Sequence, residues 1–298
     1  MVNSIQKRQR AADNRLMLCM LLPSVIFVLL ITIFPLIYTS ILSFQNYNLL
    51  SPQDAEFTGL KNYIKVFSDS LISKSILITF KYTIIAVVVS MILGLILALL
   101  AASITTGRTF FRIVLFIPMM LAPVVVGVLW KFLYNYDLGI LNYILSCIGI
   151  DRINWLGSSN LSLTSVIIAD IWQWTSYTFI LCLAALEALN PEPIEAAKID
   201  GASAVQTFFL VTLPSILPVL EVALVFRLVW AFRGFDLIYS LTKGGPGTST
   251  ETMSLVIWRQ AFSRYDIGVS SALSVVMFLL LMGLSVVILR RNLVKKEG

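Results

Sequence analysis

The sequence predicts an all-α integral membrane protein with six transmembrane helices, and its composition and the length of its apolar runs carry that prediction. Of the 298 residues, 58% are hydrophobic and 13% are charged, with a mean hydropathy of +0.89. Ordinary soluble domains carry about 25% charged residues. The apolar runs reach about 20 residues, the helix length that crosses a hydrocarbon core of about 30 Å. A membrane barrel would instead show alternating segments of about ten residues.

Six apolar runs follow one another along the chain. They cover residues 17–42, 76–102, 113–134, 163–186, 216–239 and 267–289. No small-residue cleavage site follows the basic segment at a signal-peptide distance, so we expect the first run to remain as a span. The chain then divides into a basic N-terminal segment (1–16), a six-helix transmembrane domain (17–290) and a basic tail (291–298).

The distribution of Lys and Arg predicts that both chain ends face the cytoplasm. With six spans the two ends lie on one side, and that side carries more cations on shorter segments. Its cations are Lys7, Arg8, Arg10, Arg15, Arg108, Arg112, Lys198, Arg290, Arg291, Lys295 and Lys296. The opposite loops carry Lys61, Lys65, Lys74, Arg152, Lys243, Arg259 and Arg264. Because the cations of this chain, whose net charge is +6, gather at its ends, lipid headgroups explain them better than nucleic acid does.

Two absences narrow the function. The sequence has no histidine, which excludes His-dependent hydrolysis and His-ligated zinc, so we expect no catalytic residue and no metal site. It also has no GxxxxGK[ST] phosphate-binding loop, since the glycine-rich stretch 244–250 lacks the lysine. We therefore expect ATP to be hydrolysed by a different chain.

The loop between the fourth and fifth runs, residues 190–218, is the most informative segment; it reads NPEPIEAAKIDGASAVQTFFLVTLPSILP. Asn190 can cap a short helix, and Glu195 lies near the positive N-terminal end of that helix. Ala196 and Ala197 make the helix narrow, and Gly201 can end it. Such a helix suits insertion into the groove of a partner protein, and it equally suits an amphipathic connector on the membrane surface.

The same loop resembles that of a known family. Glu195-Ala196-Ala197, Asp200-Gly201-Ala202 and Leu213-Pro214 closely resemble the EAA loop of permease subunits in binding-protein-dependent ABC importers. Further similarities, to the sugar-importing branch with its maltose-type and glycerol-phosphate-type permeases, are FTGLKNY at 57–63, Gly139 with Asn142, Phe235-Asp236 and LTKGGP at 241–246.

This resemblance implies a fold, partners and residue roles. The fold would be that of a type I ABC importer permease in the bacterial inner membrane, with 190–218 as its coupling loop. A second permease, usually a different chain, would pair with it, two ATPase subunits would bind ATP and Mg, and an outer solute-binding protein would deliver a sugar. Glu195 would make the charge contact with the ATPase, and the docking helix would be shaped by Ala196, Ala197, Asp200 and Gly201.

Ionisable residues inside the spans indicate a solute site. They are Asp170 in the fourth run and Glu221, Arg227, Arg233 and Asp236 in or near the fifth. Such residues must face protein or water. One face of the fourth run carries Asp170, Trp174 and Tyr177, and one face of the fifth carries Arg227, Trp230 and Gly234. Polar groups beside flat aromatic rings suit sugars, so we predict that these six residues bind the solute.

Several alternatives stay open. Asp170 and Arg227 could neutralise each other, or Arg227 could bind the acidic group of an acidic saccharide or a sugar phosphate. We expect Trp130 and Trp258 to be interfacial and Gly94 to mark close helix packing. An ion-coupled secondary transporter should show internal repeats, which the sequence lacks. A non-transporting scaffold has no use for polar faces inside the membrane.

Overall fold

The computed structural model describes residues 2–104 and 107–296, with side chains described for 19–104 and 107–288. The side chains of the predicted basic end segments, 1–16 and 291–298, lie outside the described side chains. The α-helices are α1 (Val2–Leu42), α2 (Lys61–Ser68), α3 (Ser70–Ser103), α4 (Arg108–Met120), α5 (Pro123–Leu133), α6 (Ile140–Cys147), α7 (Ser162–Glu187), α8 (Glu192–Ile199), α9 (Ala204–Thr207), α10 (Leu213–Phe232), α11 (Asp236–Thr242), α12 (Met253–Phe262) and α13 (Ile267–Lys296).

Short irregular elements complete the chain. Strands β1 (Gln45–Asn46) and β2 (Glu56–Phe57) pair antiparallel, with Gln45 opposite Phe57. A 3₁₀ turn, Pro52–Asp54, lies between them. A π-helical segment, Phe208–Thr212, joins α9 to α10.

Membrane-spanning helices agree with the six predicted runs. Within the described residues, five helical stretches are long and apolar enough to cross a membrane: Cys19–Leu42, Ser70–Ser103, Ser162–Glu187, Ala204–Phe232 and Ile267–Ile288. The pair α4 and α5, bent by 99°, supplies a sixth span if the two are counted together.

The third span differs from the continuous run predicted over 113–134. Leu121 and Ala122 are extended (ψ 137° and 139°), and α5 starts at Pro123. Proline disfavours a helical residue before it and has no N–H to continue the ladder, so the helix breaks there. The buried Gln173 amide donates to the freed carbonyl of Leu121 at 2.8 Å, which satisfies a backbone group that lipid could not.

The fifth span also differs from its prediction over 216–239. Its helical stretch begins earlier, at Ala204, and ends at Phe232. Arg233 to Phe235 interrupt the helix before α11 starts at Asp236. Gly234, one of the residues predicted to bind the solute, lies within this interruption, and glycine is a poor helix former.

The chain forms two compact units. The first comprises residues 1–66 and 260–276. In it, the buried Asn62 amide donates to the carbonyls of Ser43 (2.9 Å) and Gln45 (2.8 Å). Lys65 forms an ion pair with Asp266 at 2.9 Å. These contacts attach α2 and the start of α13 to the hairpin within this unit.

The second unit comprises residues 67–259 and 277–298. In it α3 packs along α7, α10 packs against both, α4 packs on α7, and α5 packs on α11. A Cβ built on Gly94 of α3 would lie 2.5 Å from Thr178 Cβ and 2.8 Å from the Phe179 nitrogen. Since real Cβ atoms do not approach so closely, the predicted role of Gly94 in close helix packing is confirmed.

The expectation of an interfacial position is wrong for Trp130. Its side chain is buried in the second unit, and its ring packs on Tyr134 (centroids 5.1 Å apart) and on Trp172 (5.9 Å). A side chain that packs inside the protein cannot anchor the span at the lipid headgroups. The interfacial position of Trp258 stays a prediction.

Candidate functional site

A buried ion pair lies at the centre of the second unit. The Arg227 guanidinium on α10 pairs with the Asp170 carboxylate on α7. The Tyr82 hydroxyl donates to the same carboxylate at 2.6 Å, and Arg227 Nε donates to Ser90 Oγ at 3.1 Å. Arg227 is 0% exposed and Asp170 is 3% exposed. The four side chains connect α3, α7 and α10.

This arrangement answers the question left open for Arg227. A charge buried away from water is costly unless a partner and further hydrogen bonds compensate it. Asp170 supplies the counter-charge, so the pair is locally neutral. The structure therefore favours mutual neutralisation over an Arg227 charge that is free for an acidic ligand.

Three aromatic rings pack beside the ion pair. The rings of Trp174 and Trp230 lie 4.5 Å apart between centroids, and Tyr177 lies 5.1 Å from Trp230. Arg227 Cζ is 5.7 Å from the Trp174 ring centroid, within the range of a cation–π contact. The structure thus brings together the two faces that helical spacing predicted, one from α7 and one from α10.

A cavity of about 320 Å³ opens next to this cluster. Its lining residues are Tyr82, Pro123, Asp170, Trp174, Trp230, Arg233, Gly234, Phe235, Asp236 and Leu237. Its volume is within the range of small-molecule sites. Four of the six predicted residues thus line one cavity. The other two, Arg227 and Tyr177, lie behind its wall, where they contact Trp174 and Trp230.

Two interruptions of membrane helices meet at this cavity. One is the break before Pro123, and the other is the segment Arg233–Phe235 between α10 and α11. Non-helical backbone at membrane depth is tolerated where it is buried in protein or lines a cavity, and in transporters it marks binding sites. A larger residue at position 234 would be crowded, because a Cβ added to Gly234 would lie 3.1 Å from the Ala231 carbonyl oxygen.

Sequence reasoning missed some lining residues. Tyr82 and Pro123 come from α3 and α5, whose contacts with α7 no single-helix spacing reveals. Arg233 and Asp236 were recognised as costly charges but not assigned to the site. Their cost inside an apolar run was the signal that could have placed them there.

The 190–218 loop forms the predicted short helix. Asn190 Oδ1 accepts from the Glu192 N–H at 3.2 Å, and Glu195 lies in the first turn of α8. No residue of α8 is buried, and Ile199 at its end is 85% exposed. Gly201 follows with φ +83°, a left-handed conformation that favours glycine. Most residues of α8 are therefore exposed, although the helix contacts α9 and the π-helical segment Phe208–Thr212.

Comparison with known proteins identifies the family. The profile of the family described as "Binding-protein-dependent transport system inner membrane component" matches residues 90–297. This chain belongs to that family. The predicted resemblance to ABC importer permeases is thereby confirmed, and the chain is a non-catalytic membrane subunit of an ATP-driven importer.

Individual relatives agree with this assignment. The chain is 36% identical over 293 residues to the trehalose/maltose transport system permease protein MalF of Thermococcus litoralis, covering 97% of this chain and 98% of that one. It is 35% identical over 281 residues to the sulfoquinovosyl glycerol transport system permease protein SmoG of Agrobacterium fabrum, covering 93% and 90%.

A solved structure shares the fold. It is a bacterial alginate ABC transporter in complex with an alginate pentasaccharide-bound periplasmic protein, and one of its chains superposes with a TM-score of 0.82 at 23% identity, covering 94% of each chain. The predicted all-α fold of a type I importer permease is confirmed. The family agrees with the predicted general kinds of partner, an ATPase and a solute-binding protein.

Proposed function

We propose that this chain forms half of the pathway for a sugar or oligosaccharide that a solute-binding protein delivers, and that the cavity beside Trp174 and Trp230 is its solute site. The single observation that carries the proposal is the meeting of two broken membrane helices at a cavity lined by aromatic and polar side chains. The names of the two relatives, which refer to trehalose/maltose and to sulfoquinovosyl glycerol, support a saccharide as the substrate.

The cavity lining suits a saccharide chemically. Indole faces cover the apolar C–H side of a sugar ring, while polar groups bind its hydroxyls. Trp174 and Trp230 would supply the ring faces. Arg233 and Asp236, at the interruption after α10, would supply hydrogen bonds, and Asp170 Oδ2 already accepts from Tyr82.

An acidic saccharide or a sugar phosphate is the second candidate substrate. Arg227 offers little attraction to an anion because Asp170 neutralises it. Arg233, which is exposed and lines the cavity, is the cation that would meet an acidic group. Asp236 on the same wall opposes this attraction, so the neutral sugar remains the first candidate.

We further propose that α8 docks in a cleft of the ATPase. The ATPase is also the subunit that would bind ATP and Mg. Glu195 and Ala196 are exposed and Ala197 is partly exposed, so all three are accessible to a partner. Asp200 and Gly201 would end the docking segment. The loop joins the end of α7 to the start of the fifth span, and those two helices carry the cavity walls and the ion pair.

The same geometry gives the proposal a mechanism. Glu187 ends α7 seventeen positions after Asp170, a rise of about 25 Å along a rigid helix. ATP-driven closure of the two ATPase subunits would move α8, and α7 and α10 would transmit that movement to the cavity as a rocking of the helices. A secondary transporter would not need a helix that connects an ATPase to the solute cavity.

Topology and assembly complete the proposal. Both termini and the 190–218 loop would be cytoplasmic, in accordance with the Lys and Arg distribution. The outward loop 244–250 would lie towards the solute-binding protein. The second permease would be a different chain, and no nucleic acid would take part.

The experiment is reconstitution into liposomes with the ATPase and the second permease, with solute-binding protein outside. Uptake of radiolabelled maltose, trehalose and a sugar phosphate is measured with and without enclosed ATP. The proposal expects uptake of a saccharide that requires both ATP and the binding protein. Uptake driven by an ion gradient without ATP would contradict it.

A further inference from the structure

A second cavity, also of about 320 Å³, lies between α4 and α7, away from the solute site. Six apolar side chains line it: Ile113, Phe116, Phe179, Ile180, Leu183 and Ala184. Arg112 and Glu187 line its remaining wall, where α4 begins and α7 ends. The cavity therefore has an apolar body and one charged end.

The charged end carries an excess of positive charge. Arg108 and Arg112 both form ion pairs with one oxygen of the Glu187 carboxylate. Two guanidinium groups share one carboxylate, so one positive charge is not compensated within this group. Arg112 Nε is buried and makes no hydrogen bond to any described residue. The cluster thus has spare donors and spare charge for an anion.

The end of α4 adds to this preference. The first turn of α4 contains no acidic residue, and its N-cap, Gly107, contributes no side-chain hydrogen bond. A helix N-terminus carries a partial positive charge. The guanidinium groups of Arg108 and Arg112, which are partly exposed, extend from this turn.

The position of the Arg108, Arg112 and Glu187 cluster indicates which kind of anion it would bind. Arg108 begins one candidate span and Glu187 ends another, so both lie at a membrane boundary, where lipid phosphates are found. The apolar part of the cavity then lies on the hydrocarbon side of that boundary. Basic pockets between transmembrane helices bind anionic lipid headgroups, and an apolar groove next to one accommodates an acyl chain.

We propose that this cavity binds one anionic phospholipid, with its phosphate on Arg108 and Arg112 and an acyl chain against Phe116 and Ile180. The phosphate accepts charge-assisted hydrogen bonds from the guanidinium groups. It also supplies a second anion for the two arginines that otherwise share the Glu187 carboxylate. The assignment to the cytoplasmic leaflet rests on the proposed function, whereas binding itself does not depend on transport.

The test is native mass spectrometry of the purified full chain in neutral detergent, titrated with phosphatidylglycerol or with phosphatidylcholine of the same acyl chains. The expected result is retention of one phosphatidylglycerol with roughly tenfold preference over the neutral lipid, since each cation near an anionic headgroup contributes attraction. Equal retention of both lipids would overturn the proposal, whether or not the transporter imports sugar.

Two variants locate the site. The double substitution Arg108→Gln/Arg112→Gln should abolish the preference, while Lys61→Gln/Lys131→Gln, which removes two exposed cations elsewhere, should keep it. Ala184→Trp leaves the charges unchanged and should reduce retention by filling the apolar cavity. Unchanged binding in both site variants would place the lipid elsewhere and overturn the proposal.

Two further experiments distinguish a bound lipid from other occupants of the cavity. Inorganic phosphate at the same concentration should neither bind nor displace the lipid, because it lacks the acyl chain; displacement would mean that the site takes phosphate alone. A photo-crosslinker placed at Ile180 in the assembled transporter should label lipid. Labelling of the second permease instead would assign the groove to that subunit and contradict the proposal.

Discussion

Arg227 of α10 is fully buried against Asp170 of α7, and this ion pair joins the two helices that flank the 190–218 loop. Tyr82 and Ser90 of α3 each add one hydrogen bond to the pair. The pair and these hydrogen bonds connect three helices, and the cavity lies directly beside them. Under the proposed coupling, a movement imposed at the loop would reach all three helices.

The ion pair yields a test of its own role. Removing one partner leaves a buried charge uncompensated, so Asp170→Asn or Arg227→Gln should each destabilise the chain by about 3–5 kcal/mol. The double substitution Asp170→Asn/Arg227→Gln should recover part of that loss, as measured by thermal unfolding of the purified chain. A double variant that folds well but no longer transports would instead show that the pair is needed for transport and not for folding alone.

The aromatic wall gives a second prediction. Trp174→Ala and Trp230→Ala should each remove a ring contact of about 0.5–1.5 kcal/mol and so raise the KM of sugar uptake about two- to tenfold. The Phe variants should retain most of the affinity, because they keep a flat apolar face. Trp172→Ala, which changes a tryptophan outside the cavity lining, is the control. Equal effects at all three positions would argue against a solute contact.

The close contact at Gly94 predicts a sharp difference between two glycines. Gly94→Ala places a Cβ against Thr178 and the Phe179 backbone, and overpacking of this kind costs about 1–3 kcal/mol. A Cβ on Gly283 of α13 meets no atom within 4 Å, so Gly283→Ala should be neutral or slightly stabilising. Melting temperatures of the two variants measure the difference, and equal values would contradict the packing of α3 on α7.

Charge reversal in α8 tests the coupling proposal. Glu195→Lys should abolish uptake and weaken co-purification of the ATPase, while the melting temperature of the chain stays unchanged because α8 has no buried residue. Glu192→Lys, in the same exposed first turn, is the matched control and should retain transport. Normal uptake by the Glu195 variant would rule out the assigned charge contact.

The extent to which the sequence predicted the fold follows from how local each signal is. Long apolar runs report membrane spans directly, so all six predicted runs correspond to helices. The break at Leu121 and Ala122 depends on Pro123 and on a distant partner, Gln173, whose amide satisfies the free carbonyl. Pro123 was visible in the sequence. The hydrogen bond from Gln173 to the Leu121 carbonyl was not, because its two residues are 52 positions apart.

The candidate site shows the same limit. Helical spacing correctly grouped Asp170 with Trp174, and Arg227 with Trp230, because residues on one face of a helix are set by its period. It could not decide whether Arg227 meets Asp170 or a ligand, since that depends on the axial offset between α7 and α10. Tyr82 came from a third helix and was therefore missed.

The most direct measurement of the central claim is cysteine cross-linking at α8 in the assembled transporter. Ala196→Cys is introduced after Cys19, Cys147 and Cys182 have been replaced, and short bifunctional maleimides are added to inside-out and right-side-out vesicles. The account predicts a cross-link to the ATPase, with labelling from the cytoplasmic face alone. Labelling from the outer face, or the absence of any ATPase adduct while uptake remains ATP-driven, would contradict it.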